Sequence, residues 1–345
     1  MIPPLPKPTL RRPTGSLGFF LVAVLILIVC GVGALALDLA HVMTVRGELQ
    51  NAADAAALAG AQELAMDTGN SDTNALQVAG QNTADGRAVS NASPFTNVTS
   101  VTNTVSIPET VQVSTQMRVN HMLAPIFGRL TDTLGAQSQA DFYPSIYKIG
   151  PNLSFPIAVS VDQYPNGSAS AGPPRLMDLS IGDPVTMQIV PSGVPGRNAV
   201  WTSFNIGSAH TSTYVSLVEQ VLGQIPPDPN TPIPSLEAGK SQILLDNGLN
   251  QGVGLDDNFL KDIQNEQFLL LPVIAGNQYN QAVTVLGFVT VKVNTITHTS
   301  GSLTIQGTLV KGLVKQAWGG SLPPGTYKTQ IENISAAVIK LVPIQ

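Results

Sequence analysis

The sequence is poor in charge and in cysteine, and each shortage excludes a class of function. Charged residues make up 11% of the 345 residues, where about 25% is usual. The net charge is −5 and there is no basic block, so nucleic acid, which is bound by clustered positive charge, is not expected as a partner. The single cysteine, Cys30, cannot close an intrachain disulfide or build a cysteine-rich zinc site.

Motifs for catalysis and metal binding are also missing. No two histidines are close enough in sequence to share a helix turn, as paired zinc ligands do. The four histidines are His41, His121, His210 and His298. No G-x-S-x-G stretch occurs, so a serine nucleophile on a tight turn is unsupported. We therefore expect no enzymatic activity, no cofactor and no metal centre.

Two short stretches imitate ligand-binding motifs without completing them. Gly239-Lys240-Ser241 matches the end of a phosphate loop, but Pro234 stands where the first glycine is required. Nucleotide is therefore not expected as a ligand. Asp178-Leu179-Ser180-Ile181-Gly182 is similar to the D-x-S-x-S metal motif of von Willebrand A domains, but glycine replaces the second serine and no long apolar strand precedes it. We interpret both stretches as turns.

The clearest feature of the sequence is one long apolar run. Residues 17–37 are uncharged and mostly apolar, and as a helix they would span about 32 Å, the thickness of a hydrocarbon core. Lys7, Arg11 and Arg12 precede the run and no acid does, so the positive-inside rule places the N-terminus in the cytoplasm. We expect a proline-rich cytoplasmic tail over residues 1–16, a transmembrane helix over residues 17–37, and an extracytoplasmic remainder.

Processing of this run has alternatives. Ala34-Leu35-Ala36 matches a signal-peptidase site, although the apolar run exceeds the usual core of about 7–15 residues. Gly15 or Gly18 imitates a prepilin-peptidase site, but Phe20 and Ala23 stand where pilin-like precursors place glutamate. A retained anchor is the favoured interpretation.

The helix is predicted to continue beyond the apolar run, over residues 38–66. Residues 39–65 contain no proline and many strong helix formers. Their apolar side chains recur at three- and four-residue steps and so form one stripe. The stripe is expected to contain Leu49, Ala52, Ala53, Ala56, Ala59 and Gly60. Because most of these residues are small, a neighbouring helix or sheet can approach closely, and we expect the stripe to pack within the chain.

Several of these stretches also carry a family resemblance. The apolar run ends in Ala36-Leu37-Asp38-Leu39 and is followed by Arg46 and by LQNAADAAALAGA at residues 49–61. These motifs resemble the N-terminal region of TadG-like proteins of the Flp (tight adherence) pilus assembly system. Residues 111–113, 119–128 (VNHMLAPIFG) and 136–140 are similar to a strand, short helix and strand in that family. Similarity is weaker beyond residue 145.

The resemblance implies a single-pass protein of the bacterial inner membrane with a periplasmic or external domain. Its implied partners are the lipid bilayer, through residues 17–37, and other Flp/Tad pilus or secretion-system subunits. We expect Asp38 and Arg46 to form a group at the membrane boundary. Asp54, which matches the family motif, is expected to accept hydrogen bonds where the helix meets the domain, with an ordinary exposed acid as the alternative.

The remaining chain is predicted to form an α+β region over residues 67–150 and a mainly-β domain over residues 151–345. In the first, we expect a helix at Leu76–Arg87 and strands near Val98–Ser106 and Thr110–Val119.

In the mainly-β domain, short β-branched runs alternate with Gly, Pro and Asn clusters. Helices are expected at Tyr214–Leu222 and, on a weaker signal, at Leu255–Gln264, and Ile225–Pro234 is expected to be an exposed extended loop.

The sequence therefore predicts an α+β protein with one membrane helix. The leading functional hypothesis is a non-enzymatic, membrane-anchored component of Flp/Tad pilus assembly, either a minor pilin-like or a scaffold subunit. The alternative is a secreted or surface-anchored binding module, such as an adhesin with a metal-dependent face.

Overall fold

The structure, a computed structural model, describes most of the chain beyond the N-terminal tail. The described residues are 15–66, 69–165, 172–190, 198–204, 211–246, 257–265, 268–276, 281–299 and 302–342. Most of the expected cytoplasmic tail, at residues 1–14, lies outside them, as do residues 255 and 256 of one predicted helix.

The first element, α1 (Gly15–Met66), is a single helix of 52 residues. It joins the apolar run to the alanine-rich stretch without a break, as the absence of proline predicts. Its first part is long and apolar enough to cross a membrane, and the other residues that the structure describes do not bury it there. From Val45 onward one side of the helix is buried. The first half of α1 is therefore exposed, whereas one side of its second half belongs to a folded core.

A small α+β unit follows α1. Its elements are α2 (Ser71–Gln81), β1 (Thr83–Ala84), β2 (Arg87–Ala88), β3 (Thr96–Asn103), β4 (Glu109–Asn120) and β5 (Thr131–Tyr143). A short 3-10 helix, Ala124–Phe127, lies in the loop between β4 and β5. The strands expected near Val98 and Thr110 are present with slightly different ends.

The predicted helix Leu76–Arg87 is wrong at both ends. The observed α2 begins at Ser71 and ends at Gln81. Asp85 and Gly86 adopt positive φ angles of 50° and 68°, which turn the chain into the β1–β2 hairpin. Asp-Gly is a common pair for such a tight turn, because glycine adopts positive φ at little cost.

The second part of the chain is mostly strand. Its elements are β6 (Ile146–Ile149), β7 (Ile157–Ser160), β8 (Pro184–Ile189), β9 (Ala199–Phe204), α3 (Thr211–Val221), β10 (Leu236–Glu237), β11 (Gln242–Leu245), α4 (Asp257–Asn265), β12 (Phe268–Ile274), β13 (Ala282–Thr284), β14 (Gly287–Thr299), β15 (Ser302–Val310), β16 (Ala317–Gly319), α5 (Lys328–Ile334) and β17 (Val338–Val342). Helices α3 and α4 match the two predicted helical regions, whereas α5 was not predicted. The proline-rich stretch is irregular as expected, but Ile233 within it is buried.

Most of these strands form one eight-stranded sheet in the order β13-β11-β9-β7-β12-β14-β15-β8. The β7–β12 pair is parallel and the other pairs are antiparallel. A three-stranded sheet, β10-β6-β16, contributes to the same large hydrophobic core. The predicted fold class, α+β with a mainly-β C-terminal part, is confirmed.

A second core forms between α1, α2 and a four-stranded antiparallel sheet with the order β17-β5-β4-β3. The last of the described strands, β17, is the edge partner of β5, with Val338 opposite Tyr143. The C-terminal segment thus returns to the sheet that packs on α1. The domain boundary near residue 150 stays a prediction.

Candidate functional site at the end of the apolar run

Asp38, the first charged residue after the apolar run, is buried against the β4–β5 loop. Only 4% of its surface is exposed. One carboxylate oxygen accepts the N–H of Met122 at 2.9 Å, and the other accepts those of Leu123 at 3.1 Å and Ala124 at 2.6 Å. We call this arrangement the Asp38 contact. It joins the helix to a loop more than eighty residues away in sequence.

The local geometry explains why an acid suits this position. The three N–H groups lead into the 3-10 helix Ala124–Phe127, where the first N–H groups of a helix have no partner within it. Successive backbone N–H groups of this kind form a concave anion site. Hydrogen bonds to an ionised carboxylate are stronger than those between neutral groups. The Asp38 carboxylate, which belongs to α1, therefore supplies the acceptor that the N–H groups at the start of the 3-10 helix lack.

A second polar group, at the ends of the β4–β5 loop, lies beside the Asp38 contact. His121 Nε2 lies 3.1 Å from one carboxylate oxygen of Asp132, and the imidazole is only 8% exposed. The Arg129 guanidinium donates to the other oxygen at 3.0 and 3.2 Å. Burial opposes ionisation of Asp132, but Arg129 and His121 together outweigh it and lower its pKa. The contact between His121 and Asp132 joins the two ends of the loop.

The predicted packing stripe faces the sheet and α2. Leu49, Ala52, Ala53 and Ala56 have no exposed surface, and Ala57 and Ala61, which were not predicted, are equally buried. The Thr115 hydroxyl on β4 donates to the Leu49 carbonyl at 3.2 Å. Because alanine side chains are small, the helix lies close enough for this contact with its backbone.

Gly60 lies where α1 meets both β4 and α2. A Cβ atom at this position would lie 2.7 Å from Val111 Cγ1 and 3.2 Å from Ala75 Cβ. The Ser71 hydroxyl donates to the Gly60 carbonyl at 2.8 Å. Ala59 is only partly buried, and its carbonyl accepts a hydrogen bond from Asn74 at 3.3 Å. Close packing of α2 on α1 therefore depends on the absence of a side chain at residue 60.

Asp54 and Arg46 lie on the sides of the stripe. Asp54 is partly buried and accepts a hydrogen bond of 2.8 Å from Gln50, whose amide also donates to the Gln137 carbonyl on β5 at 3.0 Å. Arg46 is exposed and lines a polar cleft of about 320 Å³ beside Gln50 and Gln137. It lies eight residues beyond Asp38, about 12 Å along the helix. Asp38 and Arg46 therefore do not form one group. Asp38 contacts the β4–β5 loop, whereas Arg46 lines the polar cleft.

The β1–β2 hairpin also contacts the helix, through residues that sequence reasoning missed. The Glu48 carboxylate accepts the N–H of Asp85 at 2.9 Å, and His41 Nε2 lies 3.5 Å from the Asp85 carboxylate. His41 and Glu48 are seven residues apart and so share one face of the helix. The pair Asp85-Gly86 in the sequence could have predicted this turn.

Comparison with known protein families identifies the helical segment. Residues 15–63 match the family model of TadE/G-like proteins of Flp pilus assembly. The match is confined to this segment, which we call the TadE/G-like domain. No curated protein and no solved structure matches the chain.

The TadE/G-like domain comprises nearly all of α1 and ends before α2. It therefore contains the apolar run, Asp38, Arg46 and the packing stripe, whereas the sheets that α1 supports lie outside the match. Combined with the candidate transmembrane helix, the TadE/G-like domain indicates a Flp/Tad pilus-related membrane protein. Within the described residues, no group of three or more His, Cys, Asp or Glu side chains could hold a metal ion.

Proposed function

We propose that this chain is a non-enzymatic, membrane-anchored component of Flp/Tad pilus assembly that presents a β-rich extracytoplasmic domain to pilus or secretion-system subunits. The observation that carries the proposal is α1 itself. Its first half exposes large apolar side chains, with Phe19 at 81% and Leu27 at 75%, while its second half is a core element of a folded unit. Such an extended apolar surface requires a lipid or protein environment.

The anchor and the domain are one continuous element. No turn or unwound residue separates the apolar run from the packing stripe, and the Asp38 contact adds a connection directly at the end of the run. The orientation of the sheet is therefore tied to that of the helix. This suits a subunit that holds a surface at a fixed height above the bilayer for its partners.

The orientation proposed for the chain follows from its charges. Lys7, Arg11 and Arg12 precede the apolar run, whereas acids outnumber bases after it. The positive-inside rule then favours a cytoplasmic N-terminus and a periplasmic or external domain at the bacterial inner membrane. In this arrangement both hydrophobic cores lie on the extracytoplasmic side of the membrane.

The first experiment is the intact mass and N-terminal sequence of the protein recovered from separated membrane and soluble fractions. We expect the unprocessed chain in the inner membrane, extractable only with detergent. In spheroplasts, added protease should remove the domain and leave a small N-terminal fragment. A soluble chain beginning at Leu37 would contradict the anchor and favour the secreted binding module.

The second experiment tests the partners. Cross-linking in intact cells, followed by purification in detergent, should recover other Flp/Tad subunits with the chain. The control is Ala56→Arg, which places a charge in the core beneath the sheet and leaves the apolar run unchanged. Equal recovery with the Ala56→Arg variant, or recovery of no Flp/Tad subunit with the native chain, would contradict the proposed role of the domain.

A further inference from the structure

The β4–β5 loop, residues 121–130, is fixed next to the point where the apolar run ends. Asp38 directly follows the run at residues 17–37, and its carboxylate holds the backbone of Met122, Leu123 and Ala124 within hydrogen-bond distance. Since each helical residue advances only about 1.5 Å, these loop residues lie at the level where the helix would leave the hydrocarbon. The loop therefore has a defined depth relative to the span.

The side chains at this depth are apolar and exposed. In the loop, whose sequence is HMLAPIFGRL, Met122 is 70% and Leu130 is 66% exposed. On the adjoining helix, Leu39 and Met43 are 59% and 67% exposed. The interfacial zone extends about 5–7 Å beyond the hydrocarbon on each side, and Met43 lies about 7.5 Å above Asp38. All four side chains thus fall near the lipid headgroups if the run spans the bilayer.

The polar side chains lie at the two ends of the loop, where His121 and Arg129 are the sequence neighbours of Met122 and Leu130. His121 and Asp132 pair with each other, and the Arg129 side chain is 69% exposed beside them. Exposed apolar side chains beside an exposed arginine are typical of interfacial membrane segments, in which the long side chain reaches toward the headgroups. The backbone N–H groups of Met122, Leu123 and Ala124 are already bonded to Asp38, so the loop does not bring them unpaired into the interface. These bonds lower the cost of bringing the loop to the interface.

We propose that the β4–β5 loop is a second membrane contact, which inserts the side chains of Met122 and Leu130 into the lipid interface beside α1. The proposal rests on the membrane anchoring in the proposed function. With only a helix, the domain could rotate about the helix axis and tilt with it. With the loop, one face of the domain is held against the bilayer, which fixes which strands point away from it.

The test uses the environment of single fluorescent labels in the full-length protein reconstituted into phospholipid vesicles. Cys30 is the only native cysteine and lies within the span, so a label there reports the anchor. Met122→Cys or Leu130→Cys, each combined with Cys30→Ala, places the label on the loop. Val105→Cys in the same background is the matched control, because Val105 is 96% exposed and lies beyond the other end of β4.

Two quenchers separate the outcomes: iodide in the water, and nitroxide groups carried on lipid chains near the headgroups. We expect labels at Met122 and Leu130 to lose roughly half of their fluorescence to the lipid-borne nitroxide and little to iodide, as interfacial depth requires. The label at Val105 should show the reverse. The label at Cys30 should be protected from iodide and quenched by nitroxides placed deeper in the chains.

Each alternative result has a distinct meaning. If the labels at Met122 and Leu130 behave like the label at Val105 while Cys30 is in lipid, the loop contact is wrong and the anchor stands. If the label at Cys30 is quenched by iodide, the anchor itself is wrong, and the loop contact is overturned with it.

Discussion

The carboxylate of Asp38 accepts a hydrogen bond of 2.6 Å from the backbone N–H of Ala124, 86 residues further along the chain. This contact connects the helix of the TadE/G-like domain to a loop outside the family match. Because the same carboxylate also bonds Met122 and Leu123, loss of one side chain would leave three neighbouring N–H groups without their acceptor. A substitution of Asp38 therefore tests directly what holds the β4–β5 loop in place.

Asp38→Asn should release the β4–β5 loop. The asparagine amide has one acceptor oxygen, and its NH₂ group would face an N–H donor. We expect amide hydrogen exchange at Met122, Leu123 and Ala124 to become about tenfold faster or more, while the β-rich core keeps its protection. The matched control is Asp54→Asn on the same helix, whose carboxylate accepts from a side chain only in this structure. Unchanged exchange in the Asp38 variant would show that the loop holds itself.

Ala56→Arg should unfold the small α+β unit that packs on α1 and abolish pilus assembly without preventing membrane insertion. Ala56 has no exposed surface, so the new side chain is too large and its charge has no partner there. We expect the free energy of unfolding to fall by more than about 3 kcal/mol. The measurement is urea unfolding, monitored by the susceptibility of the small α+β unit to protease. Asn51→Arg on the exposed side of the same helix is the control and should be nearly neutral. Normal assembly with Ala56→Arg would remove the packing stripe as a functional element.

Gly60→Ala and Gly47→Ala should have opposite effects. Alanine favours a helix by about 1 kcal/mol over glycine, and at Gly47 nothing lies within 4 Å of the new methyl group. At Gly60 the methyl group would approach Val111 Cγ1 to 2.7 Å, so we expect a net loss of about 1–2 kcal/mol in unfolding free energy. Val111→Ala should partly restore the Gly60→Ala variant in a double-mutant cycle. Simple additivity of the two changes would mean that Val111 is not the obstacle.

The acid stability of the β-rich part should depend on Asp162. Burial opposes ionisation of this carboxylate, but the Gly276 N–H at 2.9 Å, the Ser160 hydroxyl at 2.8 Å, Gln163 and the Tyr327 hydroxyl donate to it and lower its pKa. A lowered pKa in the folded state contributes stability above the unfolded value of about 3.9, and this is lost as pH falls through the folded value.

The measurement is urea unfolding between pH 7 and pH 2.5, followed by fluorescence of the buried Trp201. Asp162→Asn should be less stable than the native chain at pH 7 and should lose less on acidification. Tyr327→Phe removes one donor and should give an intermediate pH dependence. The same pH dependence in all three proteins would show that Asp162 does not contribute.

Much of the helical segment could be predicted because its signals are local. The lack of charge over residues 17–37 predicts the apolar helix, and the absence of proline predicts its continuation to Met66. The three- and four-residue spacing of small residues predicts a buried side, although it did not distinguish Ala59 from Ala57. The buried surface of the helix extends past the predicted stripe on the side of Ala57 and Ala61.

The partners of these residues could not be predicted, because they come from distant segments. Asp38 was expected at the membrane boundary, but nothing in the sequence around it indicates that its hydrogen-bond partners are Met122 and Ala124. His121 was set aside because no other histidine lies near it in sequence, and its actual neighbour, Asp132, is reached only through the β4–β5 loop. The predicted helix to Arg87 failed because the turn at Asp85-Gly86 outweighed the helix-forming residues before it.

The pairing of β17 with β5 imposes an order on the biogenesis of the protein. In β5, the edge that β17 will cover is complete by Tyr143, but its partner begins only at Val338, 195 residues later. Because synthesis starts at the N-terminus, nearly all of the β-rich part is made while this edge has no partner, and exposed edges favour wrong pairing. The sheet beneath the helix is completed last, so a truncated or stalled chain would carry α1 on an unfinished sheet.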